Sequence, residues 1–69
     1  MPERLANRLK ERRTELGLTQ AELAERVGVT RKTVNTVENG VFVPSTILAL
    51  KLAGALGWSV EELFSVIAD

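Results

Sequence analysis

The chain has 69 residues, no net charge, and neither cysteine nor histidine. This length predicts one domain, residues 1–69, with a small core, and the missing residue types exclude disulfides, thiolate zinc sites, and histidine as metal ligand or general base. No segment approaches the roughly 18 apolar residues of a membrane span, and the N-terminal residues do not resemble a signal peptide, so we expect a cytoplasmic protein. Residues 1–40 carry +2 and residues 41–69 carry −2, which permits a local anion-binding face.

The spacing of apolar residues predicts five short helices and no strand, an all-α domain. Helix one is expected from Pro2 or Glu3 to Glu15, because proline suits the first turn of a helix and Gly17 favours its end. Its apolar stripe consists of Leu5, Leu9 and Leu16.

Helices two and three follow closely. Helix two is expected to begin at Thr19, whose spacing to Glu22 is that of a capping box, and to end at Gly28. Helix three is expected to be capped by Thr30 and to end at Asn39-Gly40. The inward residues of the two helices are Leu23, Ala24, Val27, Val34 and Val37.

Helix four is expected from Pro44-Ser45 to Gly57, and helix five from Ser59, which again forms a capping box with Glu62. The core residues predicted for helix four are Leu48, Leu52, Ala53 and Leu56. Those predicted for helix five are Val60, Leu63 and Phe64.

The connection between helices two and three is only Gly28-Val29-Thr30, which is typical of a helix-turn-helix over about residues 19–39. With the valines of helix three inward, four residues suited to base edges lie outward: Arg31, Lys32, Asn35 and Thr36. Arginine or lysine can donate to guanine, asparagine can pair with adenine, and a threonine methyl can contact the thymine methyl. The alternative is an ordinary solvated helix face.

Two further residues are candidate phosphate contacts. Gln20 lies in the first turn of helix two, where the backbone N–H groups favour anions. Asn39, at the end of helix three, is within reach of the same backbone. The alternatives are that Gln20 belongs only to the cap and that Asn39 only terminates its helix.

Two charges fall on apolar stripes. Arg13 lies four residues after Leu9, and Glu38 lies four residues after Val34. Because charges on buried stripes are rare unless paired, we predict a partly buried ion pair between Arg13 and Glu38. The alternative is that both side chains extend to solvent from the edges of the stripes.

The segments "LTQAELAERVGV", "VENG" and "ALGWSVEELF" resemble the Cro/phage-repressor (XRE-like) helix-turn-helix family over about 60 of the 69 residues. The resemblance implies a five-helix lambda-repressor-like fold that binds double-stranded operator DNA as a homodimer. It assigns a phosphate contact to Gln20, base-reading positions to Arg31, Lys32 and Thr36, and an internal ion pair to Arg13 and Glu38.

Helix four is apolar on two faces, although a small monomer covers only one. We therefore expect a dimer interface made by Ile47, Leu50, Gly54, Trp58, Val60 and Phe64. In this hypothesis Gly54 makes room for Trp58 or for a partner helix. The alternative is that Trp58 folds back over Gly54 and completes the core of its own subunit.

The residue set argues against an enzyme, and no cofactor, metal or small-molecule ligand is expected. RNA is disfavoured because its major groove is too narrow for a helix. The sequence predicts a sequence-specific transcriptional regulator, a repressor that reads a palindromic operator as a homodimer. The alternative is a helix-turn-helix shell that serves as an interaction module, antitoxin-like or an engineered oligomer, with little DNA binding.

Overall fold

The computed structural model describes residues 3–68. In chain order they form β1 (Glu3–Asn7), α1 (Leu9–Glu15), α2 (Gln20–Val27), α3 (Arg31–Glu38), α4 (Thr46–Leu56), α5 (Val60–Leu63) and β2 (Phe64–Ala68). The two strands pair antiparallel, so the N-terminal and C-terminal segments lie side by side. The fold of this part of the chain is helical with one small sheet.

The sheet corrects the prediction for the first residues of the chain. Glu3 pairs with Ala68 and Asn7 pairs with Phe64, so the helix expected from Pro2 or Glu3 is wrong between Glu3 and Asn7. Pro2 itself lies outside the described residues. The backbone groups of β1 bond to a strand about sixty positions away, and α1 begins only where the side chain of Asn7 accepts from the N–H of Leu9 at 3.1 Å.

The end of the chain differs for the same reason. The predicted capping box of Ser59 and Glu62 is confirmed, but α5 is a single turn that ends at Leu63. Phe64 has extended dihedral angles and begins β2. β-branched residues at Val66 and Ile67 favour an extended chain, and they pair with Leu5 and Arg4 of β1.

The other helix ends agree with the local signals in the sequence. Thr19 and Glu22 form the expected capping box, and the side chain of Thr30 accepts from the N–H of Thr33. The side chain of Ser45 accepts from the N–H of Leu48 at 3.1 Å. At the end of α2, Gly28 has a φ of 73°, a conformation that glycine adopts without steric cost.

The core lies between α1 to α5 and the inner face of the sheet. It contains every residue predicted for the inner edges of helices two, three and four: Leu23, Ala24, Val27, Val34, Val37, Leu48, Leu52, Ala53 and Leu56. Leu16 differs, being 43 % exposed, because α1 ends at Glu15 and the chain turns at Gly17. Leu18 enters the core instead. Between Glu3 and Ala68, no helix combines the length and hydropathy needed to cross a bilayer.

Candidate nucleic-acid interface

The turn between α2 and α3 is short and closely bonded. The N–H of Val29 donates to the carbonyl of Ala24 at 3.0 Å, and Val29 packs against the core. The next residue, Thr30, already caps α3. The two helices are thus held together through the buried side chains of Val27, Val34 and Val37, which fixes the opposite face of α3 toward the outside.

The outer face of α3 is polar and cationic. Arg31, Lys32 and Asn35 are exposed, and Thr36 is half-buried. The first turn of the helix contains no acidic residue. Four hydrogen-bonding side chains of the types that read base edges are therefore presented on one helix.

The only acidic residue of α3 is neutralised inside the protein. Arg13 Nε donates to Glu38 Oε2 at 2.6 Å, and Arg13 Nη2 donates to Glu38 Oε1 at 3.2 Å. Arg13 Nη1 also donates to the carbonyl of Leu18 at 2.8 Å. The side chains of Arg13 and Glu38 are 10 % and 2 % exposed, so the structure brings the two predicted partners together in a buried pair. The negative charge of α3 is thereby withdrawn from its outer face.

Gln20 lies between this pair and the outer face of α3. Its Nε2 donates to Glu38 Oε1 at 3.0 Å and to Asn35 Oδ1 at 3.2 Å. Its Oε1 accepts from Arg31 Nη1 at 3.5 Å. Both protons of the Gln20 amide are therefore used within the protein. What remains for an anion at this end of α2 is the backbone N–H of Gln20 and Ala21, which have no partner within the helix.

Thr36 and Asn39 complete the face. The hydroxyl of Thr36 donates to the carbonyl of Thr33 at 2.9 Å, which leaves its methyl group for apolar contact. Asn39 is the residue that follows α3, and its Nδ2 donates to Asn35 Oδ1 at 3.3 Å. The side chains of Gln20, Asn35 and Asn39 thus form one hydrogen-bonded row across the face.

Sequence reasoning missed a residue that holds the far end of α3. Asn7 Nδ2 donates to the carbonyls of Val37 and Glu38 at 3.0 and 3.4 Å, while its Oδ1 accepts from the N–H of Leu9, the first residue of α1. One side chain therefore joins β1, the start of α1 and the end of α3. The available signal was an asparagine just before a helix, because asparagine side chains often accept from a backbone N–H two residues further along the chain.

The residues predicted for a dimer interface are not all exposed. Ile47 and Leu50 are 68 % and 59 % exposed on α4, and Leu50 borders a shallow groove with Val43 and Val60. Phe64 differs from the prediction: it is only 8 % exposed and belongs to the core of its own chain, because it begins β2 with its side chain inward. It has almost no surface to offer a partner.

Trp58 and Gly54 do not pack together. Apart from its chain neighbours and the backbone of α4, a Cβ atom placed on Gly54 would meet no atom of residues 3–68 within 4 Å, so Trp58 does not lie over Gly54. The alternative is correct in one respect, because Trp58 packs against the core of its own chain. A partner helix at Gly54 stays a prediction. Trp58 is half-buried and stacks instead with two cations: the guanidinium carbons of Arg8 and Arg12 lie 4.6 and 5.1 Å from its ring centroid. The tryptophan thereby joins the turn before α5 to α1.

Comparison with known proteins assigns the family. Residues 9–63 match the family model HTH_3, described as helix-turn-helix. An uncharacterized HTH-type transcriptional regulator of Methanothermobacter thermautotrophicus is 53 % identical over 62 residues, which are 88 % of this chain and 90 % of that protein. The family model extends from the first residue of α1 to the last residue of α5 and therefore includes the whole outer face of α3.

Two solved structures share the fold. The restriction-modification controller protein C.AhdI of Aeromonas hydrophila is 44 % identical with a TM-score of 0.75, covering 80 % of this chain and 83 % of its own. The P22 c2 repressor, solved with a synthetic operator, is 31 % identical with a TM-score of 0.76, covering 78 % and 82 %. The chain therefore belongs to the XRE-type helix-turn-helix family of DNA-binding transcriptional regulators.

Proposed function

We propose that this protein is a cytoplasmic transcriptional repressor that binds a palindromic operator as a homodimer and reads each half-site with α3. The observation that carries the proposal is the outer face of α3, where Arg31 and Lys32 stand beside Asn35 while Glu38, the one carboxylate of the helix, is buried against Arg13. A helix with this face suits the major groove of B-DNA.

The backbone of the operator is held at both ends of the face in this proposal. The unpaired N–H groups of Gln20 and Ala21 begin α2 and suit a phosphate oxygen. Asn39 lies at the other end of α3. Arg31 and Lys32 add positive charge between them. Phosphate contacts of this kind fix the register of the protein on the duplex, and base contacts then supply the sequence preference.

The homodimer is proposed from α4. Ile47 and Leu50 are large, apolar and mostly exposed, and Gly54 leaves open space on the same helix. Half-buried Val60 and exposed Val43 continue this surface across the groove beside Leu50. A second copy of the chain covering it would place two copies of α3 on one duplex, with half-sites about one helical turn apart.

A selection from random duplex DNA tests the proposal. The enriched site is titrated with the protein at two salt concentrations, and its symmetry is read from the aligned sequences. We expect an inverted repeat and an affinity that falls with salt, because phosphate contacts release counterions. Absence of enrichment at low salt would contradict the function, and an enriched site without symmetry would contradict the homodimer.

A second function is favoured by one observation. Directly after α3 the chain exposes three apolar residues, Val41, Phe42 and Val43, at 78 %, 47 % and 67 % of their surfaces. Together with Ile47 and Leu50 they suit a protein partner better than a phosphate backbone. If the selection enriches nothing, the function to test next is protein assembly, by sedimentation of the protein alone and of variants at Ile47 and Leu50.

A further inference from the structure

The hydrogen bonds around Glu38 fix the direction of every amide in the row that crosses the outer face of α3. Arg13 can only donate, so Glu38 accepts from it, and an ionised carboxylate can only accept. The side-chain amide of Gln20 must therefore turn its Nε2 toward Glu38 Oε1, 3.0 Å away. Reversing that amide would place two oxygen acceptors against each other.

The orientation of the Gln20 amide in turn fixes the orientation of the Asn35 amide. The second proton of Gln20 Nε2 is donated to Asn35 Oδ1 at 3.2 Å. Reversing the Asn35 amide would bring two NH₂ groups together, so the buried charge of Glu38 also determines which way Asn35 turns. Asn39 Nδ2 donates to the same Asn35 oxygen at 3.3 Å, and this oxygen then has two donors for its two lone pairs.

The atom of the Asn35 amide that remains available to DNA is consequently its nitrogen, Nδ2. Within residues 3–68 neither proton of Asn35 Nδ2 has an acceptor, and the residue is exposed on the outer face. An asparagine that pairs with adenine needs a free oxygen for adenine N6 and a free nitrogen for adenine N7. Asn35 has only the nitrogen free, so it meets DNA as a donor.

We infer that Asn35 is a specificity-determining residue that selects a G·C pair, and that Gln20 is the positioning residue that imposes this choice. Guanine presents two neighbouring acceptors, N7 and O6, to the major groove, whereas adenine places an NH₂ group beside its N7. A group that only donates suits the first pattern and is repelled by part of the second. The inference rests on the proposed function, and it reverses the adenine preference that the residue type alone suggests.

The test is the selection from random DNA carried out on the wild-type protein and on three variants. Asn35→Ala identifies the base pair concerned, because its preference disappears in that variant while the others remain. Gln20→Ala releases the amide of Asn35 and keeps the backbone N–H groups of α2. Glu25→Gln is the control, since Glu25 is an exposed residue of α2 whose replacement leaves Gln20, Asn35, Glu38 and Asn39 in place.

We expect the wild type to prefer a G·C pair at that position by about tenfold. Glu25→Gln should keep the G·C preference, and Gln20→Ala should shift it toward A·T. An A·T pair in the wild-type site, or enriched sites that Asn35→Ala leaves unchanged at every pair, would overturn the inference. A G·C preference that survives Gln20→Ala would overturn the role of Gln20. Failure to enrich any sequence would contradict the proposed function, and this inference would fall with it.

Discussion

Arg13 and Glu38 form a two-point ion pair in the interior, with Nε to Oε2 at 2.6 Å and Nη2 to Oε1 at 3.2 Å. The pair joins α1 to the last turn of α3 and is almost fully shielded from water. A buried pair adds little to stability compared with apolar residues, but the loss of one partner leaves a buried charge without compensation. Its cost on disruption and its control over the Gln20 amide are therefore separate consequences of one contact.

Replacing Glu38 with glutamine tests the first consequence. Glu38→Gln keeps the size of the side chain but leaves the guanidinium of Arg13 without a counter-charge, and we expect the free energy of unfolding to fall by about 3 kcal/mol. Urea unfolding monitored by circular dichroism measures it. The matched control is Glu11→Gln, which removes an exposed ion pair with Arg8 and should cost about 1 kcal/mol or less. Equal losses in both variants would contradict the shielding argument.

Gly54 offers a stabilising substitution. It lies inside α4, and apart from its chain neighbours and the backbone of that helix, a Cβ atom there meets nothing within 4 Å among the described residues. Alanine is favoured over glycine in a helix interior by about 1 kcal/mol, so Gly54→Ala should raise the free energy of unfolding by roughly that amount. Gly57→Ala is the contrast, because Gly57 has a φ of 70° and should lose stability.

Thermal unfolding of Gly54→Ala at several protein concentrations shows whether Gly54 lies inside or outside the subunit interface. A gain in stability that is independent of concentration leaves Gly54 outside the interface. A loss that grows with concentration would show that a second chain packs against this glycine, since an added methyl group would then separate the helices.

Trp58 should stabilise the fold through its ring face. Its stacking with Arg8 and Arg12 is a cation–π contact of about 0.5–1 kcal/mol per cation at an accessible site. Trp58→Phe keeps an aromatic face, whereas Trp58→Leu keeps only apolar area. We expect Trp58→Leu to lower the free energy of unfolding by about 1 kcal/mol more than Trp58→Phe. The same cost in both would assign the role of Trp58 to apolar burial alone.

Acid should weaken the two capping boxes. Hydrogen bonds from the backbone N–H and the side chain of Thr19 hold the pKa of Glu22 below its ordinary value of 4.5, and those of Ser59 lower the pKa of Glu62 in the same way. A lowered pKa means that the ionised carboxylate stabilises the folded state. This contribution is fully present above about pH 4.5 and is lost as the pH falls through the lowered pKa values.

The measurement is the free energy of unfolding between pH 3 and pH 7 for the wild type and for the double variant Glu22→Gln and Glu62→Gln. The double variant should lose less stability on acidification than the wild type. Glu25→Gln, an exposed residue of α2 outside either capping box, controls for the removal of a carboxylate. If acid lowered the free energy of unfolding of the double variant as much as that of the wild type, the capping account would be contradicted.

The proposed subunit interface makes a prediction for Leu50. A lysine at this exposed apolar position should prevent a second chain from covering α4, because its charge would lose water on association. Leu50→Lys is expected to sediment as a monomer where the wild type sediments as a dimer, and to bind the full operator more weakly. Leu50→Met keeps an apolar contact and is the matched control. A wild type that remains monomeric at micromolar concentration would contradict the interface.

Much of the fold was predictable because its signals are local. Each cap is set by a side chain and a backbone N–H within three residues, as with Thr19 and Glu22, so sequence spacing reveals it. The pairing of Arg13 with Glu38 was predictable for a different reason: a charge on an apolar stripe requires a partner, and α1 and α3 each supply one.

The parts that sequence missed depend on contacts between distant segments. Leu5 and Leu9 fit a helical spacing, but β1 is specified by its pairing with β2 at the other end of the chain. The direction of the Asn35 amide depends on Gln20 and, through it, on Glu38. Trp58 faces Arg8 and Arg12 because α5 returns to α1. No local pattern contains any of these three relationships.

The central claim is that the outer face of α3 reads operator DNA. The most direct measurement is a fluorescence-anisotropy titration of the selected operator with the wild type, Arg31→Ala and Arg26→Ala. Both variants lose one exposed arginine, but Arg26 lies on α2 beside Gly54 and Ala55 of α4, away from the proposed DNA face. We predict that Arg31→Ala weakens binding by about 1–3 kcal/mol, while Arg26→Ala changes it little. Equal affinities for the wild type and Arg31→Ala, or equal losses in the two variants, would contradict the claim.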